Sequence, residues 1–171
     1  MSRGFSLVEL MVAMAVLAVG LLGGITVIAV ATANDGRSKL HTNAVTIAQN
    51  TMEKILAIPE SAVGPAAETK MNDCTGNPST IETAQGGSDL IPDGEPFAGS
   101  INFSKDSVLT YSMKYAMCST GTSVVYDVRW NISAGPTPST QVVTVSVKPI
   151  ATAGAGQFTL PYTLHQLRGD F

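Results

Sequence analysis

One carboxylate, Glu9, stands immediately before 24 consecutive residues without a charge, Leu10 to Ala33. An acid carried unpaired to the centre of a bilayer costs on the order of 2.5 to 3.5 kcal/mol, so a glutamate at this place needs a cation. Arg3 is the only other charge nearby, and six residues away it falls outside the three- and four-residue spacings at which helical side chains meet. The chemistry Glu9 offers is ion pairing with a group on another molecule, which would fix a register in apolar surroundings.

The remaining reactive residue types are sparse. Cys74 and Cys118 are the two cysteines, too few and too far apart for a tetrahedral zinc site. One disulfide is the natural reading: it would close a loop of about 45 residues, stabilise by up to about 4 kcal/mol in the chain-entropy model, and require an oxidising compartment. Two free thiols are the alternative. His41 and His165 have neither a metal-ligand spacing nor a neighbouring nucleophile, which points to surface or capping roles. Asp89, Asp93 and Glu95 bracket a Pro-Asp-Gly turn and could offer oxygens to calcium, but their spacing is not that of an EF-hand loop, and a solvated turn is the plainer reading.

Other chemistry is missing from the pattern. No nucleophile elbow, phosphate loop or zinc-binding helix motif occurs, so we expect no enzyme, no catalytic residue, no metal site, no cofactor and no small-molecule substrate. A net charge of -3 with 13% charged residues lacks the basic field that nucleic-acid binding requires. Two glycosylation sequons, at Asn102 and Asn131, are short enough to arise by chance.

The elements that must position Glu9 and the cysteines follow from periodicity. The uncharged run makes a helix of roughly 36 Å at about 1.5 Å per residue, enough for a bilayer core of about 30 Å. Arg3 keeps the short N-terminus cytoplasmic by the positive-inside rule, so the remainder is exported. After the polar patch 34–39, Leu40, Ala44, Ile47, Ala48, Met52, Ile55 and Leu56 recur at spacings of three and four until Pro59 stops the helix. Residues 5–58 thus predict one helix of about 80 Å, with a membrane half over 5–33 and an amphipathic half over 34–58.

The head, 59–171, reads in two parts. Residues 59–103 are rich in Gly, Pro, Ser, Thr, Asn and Asp, which predicts mainly loop with at most one short element. From 104 to 171, alternation runs through Leu109, Tyr111, Met113, Tyr115 and Met117, then Val124 to Ile132, then Val143, Val145 and Val147. Phe158, Leu160, Tyr162 and Leu164 alternate likewise, with Pro161 suited only to an edge strand. The expected class is α+β, a long N-terminal helix packed on a small antiparallel sheet. A Cys74–Cys118 bond would pin the long loop over the outer side or end of the first of these strands.

Three readings compete for the N-terminus. Ala29, Ala31 and Ala33 suit a cleaved signal peptide, but the apolar run exceeds a usual h-region and Glu9 is out of place there. A plain single-span anchor leaves Glu9 without a role. The third reading is a resemblance: Gly4-Phe5-Ser6-Leu7-Val8-Glu9-Leu10 followed by Met11 to Leu17 is similar to the signature of type IV prepilins and type II secretion pseudopilins. That resemblance implies a leader at 1–4, cleavage by a prepilin peptidase between Gly4 and Phe5, N-methylation of Phe5, and pairing of Glu9 with the N-terminus of a neighbouring subunit.

The resemblance also implies the pilin-like fold, with other major and minor pilins and an inner-membrane assembly platform as partners. Gly20-Leu21-Leu22-Gly23, Met52-Glu53 and Val128-Arg129-Trp130 resemble the V-type minor pilins, the type IV pilus modification proteins. Gly20, Gly23 and Gly24 fit either close helix packing or, as the resemblance implies, a segment that stretches on entering a filament. The function expected is a minor type IV pilin that primes, caps or modifies the pilus. A type II secretion pseudopilin and a tip-located binding or adhesion module are the alternatives. The location expected is the inner membrane, crossed once with the head periplasmic, and then the pilus at the cell surface.

Overall fold

The structure is a computed structural model that describes residues 6–59, 61–62, 67–119, 122–150 and 160–169. The chain divides into two compact units, Met1–Leu40 and His41–Phe171. One helix, α1 (Leu7–Leu56), supplies elements to both and runs 50 residues without interruption through Gly20, Gly23, Gly24 and Gly36. Within the first unit the helix carries almost no polar side chain before Asn34, and the two threonines there return their hydroxyls to the backbone. Thr26 Oγ1 donates to the Gly23 carbonyl at 2.8 Å and Thr32 Oγ1 to the Ile28 carbonyl at 3.0 Å. Such back-bonding lets a hydroxyl sit on an apolar helix surface without an unmet hydrogen bond.

In the second unit the later part of α1 is amphipathic, as its spacing predicts. Ala44, Ile47, Ala48, Thr51, Met52 and Ile55 are buried. Leu40 and Leu56, expected on the stripe, are only half-buried, whereas Thr51 joins it because its hydroxyl donates to the Ile47 carbonyl at 2.8 Å. The helix ends before Pro59, which offers no amide to a further turn.

The second unit continues with β1 (Glu68–Asn72), β2 (Pro78–Glu82), β3 (Gly86–Gly87), a 3-10 turn at Leu109–Tyr111, β4 (Ser112–Ser119), β5 (Thr122–Ala134), β6 (Thr140–Pro149) and β7 (Tyr162–Gly169). β1 and β2 form a separate antiparallel hairpin. The main sheet has five strands, all antiparallel, with β5 at its centre. β4 and β3 share one side of β5, and β6 then β7 follow on the other. Register places Val128 opposite Val147, Trp130 opposite Val145 and Ile132 opposite Val143, so one face carries a continuous apolar layer, fully buried with Tyr126. The α1 stripe covers it: Asn43 hydrogen-bonds the Tyr126 hydroxyl, and the His41 ring meets Tyr162 edge-on at 5.3 Å.

This is the expected α+β arrangement, with three differences in detail. Among the described residues, 59–103 hold three short strands where one element at most was expected, because β1 and β2 each bury a single side chain (Met71 and Ile81) and β3 buries none, which leaves no alternating run to read. Leu109 is not a strand residue. The Tyr111 amide donates to the Val108 carbonyl at 2.9 Å, closing a 3-10 turn that leaves Leu109 89% exposed. Leu160 also precedes its strand and is exposed, while Phe158 lies outside the described residues. β7 is an edge strand that starts just after Pro161, where a missing amide costs least.

β3 depends on its glycines. A Cβ on Gly87 (φ 140°) would stand 2.4 Å from Asn131 Cα and 2.6 Å from the Trp130 carbonyl oxygen, both on the central strand. Neither backbone atom can yield without displacing β5. We expect Gly87→Ala to cost about 2 kcal/mol through overpacking and backbone strain, read as a lower urea midpoint at unchanged m-value. A midpoint equal to that of the wild type would mean that β3 is not anchored this way.

Candidate functional site

The N-terminal part of α1 is unlike any other surface among the described residues. Every large apolar side chain from Leu7 to Val30 is more than half exposed. Contiguous apolar surface of this extent marks contact with a membrane or another protein. The helix is also long and apolar enough to cross a membrane. Glu9 lies in the first turn, exposed, where a carboxylate is favoured by the positive end of the helix dipole. Gly4 and Phe5 lie outside the described residues. The charged surface resumes at Asp35 and Lys39, which pair across one turn at 2.8 Å.

In the head, Cys74 and Cys118 are joined in a disulfide with Cα atoms 5.7 Å apart. Cys74 sits in the turn between β1 and β2, and its amide donates to the Ala116 carbonyl on β4 at 3.3 Å. The turn is organised by Asp73, whose Oδ1 accepts from the Thr75 amide, the Thr75 hydroxyl and the Asn77 amide at 2.9, 2.6 and 2.9 Å. The Thr75 hydroxyl holds the Asp73 carboxyl below the usual carboxylate range, with the Asn77 and Thr75 amides adding to the effect and burial opposing it. A depressed carboxylate tightens the turn at neutral pH, and that contribution fades as pH falls through its folded value. The disulfide and the turn together fasten the β1–β2 hairpin to the sheet.

No arrangement for bond-making chemistry emerges among the described residues. His165 Nδ1 shares a 3.0 Å hydrogen bond with Thr144, and His41 packs on Tyr162, so the two histidines serve separate contacts. No group of three or more acidic, histidine or cysteine side chains converges among the described residues, and Asp89, Asp93 and Glu95 do not form one. Asn131, the second sequon asparagine, instead donates its side-chain amide to the Ser88 carbonyl at 2.9 Å.

Three features escaped the sequence. Arg168 is buried at the end of β7, where its guanidinium donates to the Ile55, Ile58 and Thr83 carbonyls and to the Gln141 side chain. Its strand parity with Tyr162 and Leu164 was the available signal. The Gly86–Gly87 pair was hidden in a glycine-rich stretch. Phe97, the third, has a positive φ that no residue pattern announces.

Compared with known proteins, residues 1–25 match the family model described as the prokaryotic N-terminal methylation motif. No curated protein and no solved structure matches the chain.

Proposed function

We propose that the protein is a minor type IV pilin, a structural subunit that assembles through its N-terminal helix to prime, cap or modify a pilus. The methylation motif is the type IV pilin signal, and it supports membership among pilins and pseudopilins, whose members are structural subunits rather than enzymes. One observation carries the reading: this motif runs directly into a helix whose apolar side chains, Leu7 to Val30, are all exposed. Such a surface suits a bilayer before assembly and neighbouring helices after it.

On this reading a prepilin peptidase removes residues 1–4 and Phe5 becomes the N-methylated N-terminus. Its amine is the cation that Glu9 lacks within its own chain. A neighbouring subunit shifted along the helix axis brings the two together, and an ion pair in apolar surroundings sets the register because a slipped subunit would leave both charges unmatched. The chain waits in the inner membrane with its head in the periplasm, an oxidising compartment in which the Cys74–Cys118 disulfide persists.

The same motif serves type II secretion pseudopilins, so it supports that second reading too. Deleting the gene while scoring surface pili and secreted enzymes together separates the two. Loss or alteration of pili with intact secretion is the expected result, and normal piliation with failed secretion would replace the minor pilin by a pseudopilin.

A further inference from the structure

Phe97 is the only non-glycine residue with a positive φ among the described residues, at 65°, and its side chain is 71% exposed. A bulky side chain rarely adopts this conformation, and it persists only where the surroundings over-determine it. They do so here. The loop closes on an antiparallel bridge between Leu90 and Ile101, and Ile101 is buried in the core. Inside the bridge the Ile91 amide donates to the Ser100 carbonyl at 2.8 Å and the Gly99 amide to the Ile91 carbonyl at 2.9 Å. Outside it the Asn102 amide donates to the Asp89 carbonyl at 2.8 Å. The Ser100 amide completes the tip by donating to the Phe97 carbonyl at 3.0 Å. An aromatic side chain is thus held out in water by a stiff loop, and nothing within the head gains from its burial.

We propose that Phe97 is a preformed anchor by which the head docks another protein, one that offers an apolar pocket rimmed by lysine or arginine. Aromatic side chains dominate binding energy when they enter a desolvated pocket, and a stiff loop avoids the ordering cost of doing so. Charge defines the partner. Residues 89–102 contain Asp89, Asp93 and Glu95, all exposed, and no lysine or arginine. Acids flanking the anchor disfavour an anionic lipid surface. They disfavour a second copy as well: the chain carries -3, and one of its clefts sets Glu68, Glu82 and Asp127 against only Lys114 and Arg129. A basic rim is the complement that speeds encounter and fixes orientation. The inference concerns the head's partner and stands whether or not Glu9 directs assembly.

Two measurements on the full chain test it. Phe97→Gly removes the anchor and relieves the positive φ, so its melting temperature should equal or exceed that of the wild type. A lower one would show that Phe97 serves folding and overturn the proposal. p-Benzoylphenylalanine placed at position 97 in the protein's own cells should, on irradiation, give an adduct with one other protein at an apolar peptide carrying lysine or arginine. Combining it with Asp93→Lys and Glu95→Lys should cut the yield by about tenfold or more. An adduct with a second copy or with lipid, no adduct, or a yield indifferent to charge reversal would each overturn the proposal.

Discussion

Glu9→Ala should leave leader cleavage intact and reduce incorporation into filaments on the order of a hundredfold. On the proposed reading cleavage acts on the bond after Gly4, and Glu9 stands five residues further along the sequence. Assembly is different. If the Phe5 amine of a neighbour rests beside Glu9 among apolar helices, removing the carboxylate leaves an uncompensated cation there, at a cost on the order of 2.5 to 3.5 kcal/mol. At about 1.4 kcal/mol per tenfold, that cost becomes the expected loss. Glu9→Gln, which keeps the shape and an acceptor oxygen but not the charge, should fall between. A bulky residue in place of Gly4 should do the opposite and block cleavage, leaving unprocessed protein in the membrane. Immunoblots of membrane and sheared-filament fractions, with the processed and unprocessed forms resolved, report both steps. Wild-type incorporation of the Glu9→Ala protein would dispose of the pairing mechanism while leaving the membrane reading of α1 untouched.

What could be read from the residues alone was what repeats or stands close in sequence. The charge-free run after Glu9 and the spacing of Ala44, Ile47, Ala48, Met52 and Ile55 specify one helix because each residue's face depends only on its distance from its neighbours. The alternation through Tyr126, Val128, Trp130 and Ile132, and again through Val143, Val145 and Val147, specifies two paired strands for the same reason. Features joined only by long-range packing were illegible. Of what holds the β1–β2 hairpin, the Cys74–Cys118 bond was legible as the pairing of the two cysteines, but the burial of Met71 and Ile81 and the Trp130 indole donating to the Glu82 carbonyl at 2.8 Å were not. Those three contacts, spread between Met71 and Trp130, make no pattern. Leu109 misled because apolar alternation continues from the 3-10 turn into β4, and only the Tyr111-to-Val108 hydrogen bond distinguishes them. Of the candidate site, the motif at Gly4 to Leu10 was legible at once, whereas Phe97 was not, because exposure and φ belong to a folded loop.

Arg168 carries the largest stability effect expected in the head. Its guanidinium donates to the Thr83 carbonyl at 3.0 Å and the Gln141 side-chain oxygen at 2.5 Å, and more loosely to the Ile55 and Ile58 carbonyls at 3.4 and 3.5 Å. Ile55 lies in the last turn of α1 and Ile58 two residues past its end, where a cation is favoured by the dipole and where the Ile55 carbonyl also accepts from the Ile58 amide at 3.3 Å. A single side chain on the edge strand thus ties together the helix end, the segment after β2 and the neighbouring strand β6. Arg168→Met keeps much of the apolar stem but strips every donor. Hydrogen bonds from a charged group are each worth about 1.5 to 3 kcal/mol, and relief from burying the cation returns part of that, leaving a loss of about 3 kcal/mol. Arg168→Lys retains the charge without the planar fork, so it cannot reach all of these acceptors and should lose about half as much. Trp130, the sole tryptophan and fully buried on the central strand, gives the readout: urea titration of the full chain in mild detergent, followed by its fluorescence. A Met variant within about 0.5 kcal/mol of the wild type, the range of an ordinary surface change, would mean that the helix end is held by apolar packing and not by the clamp.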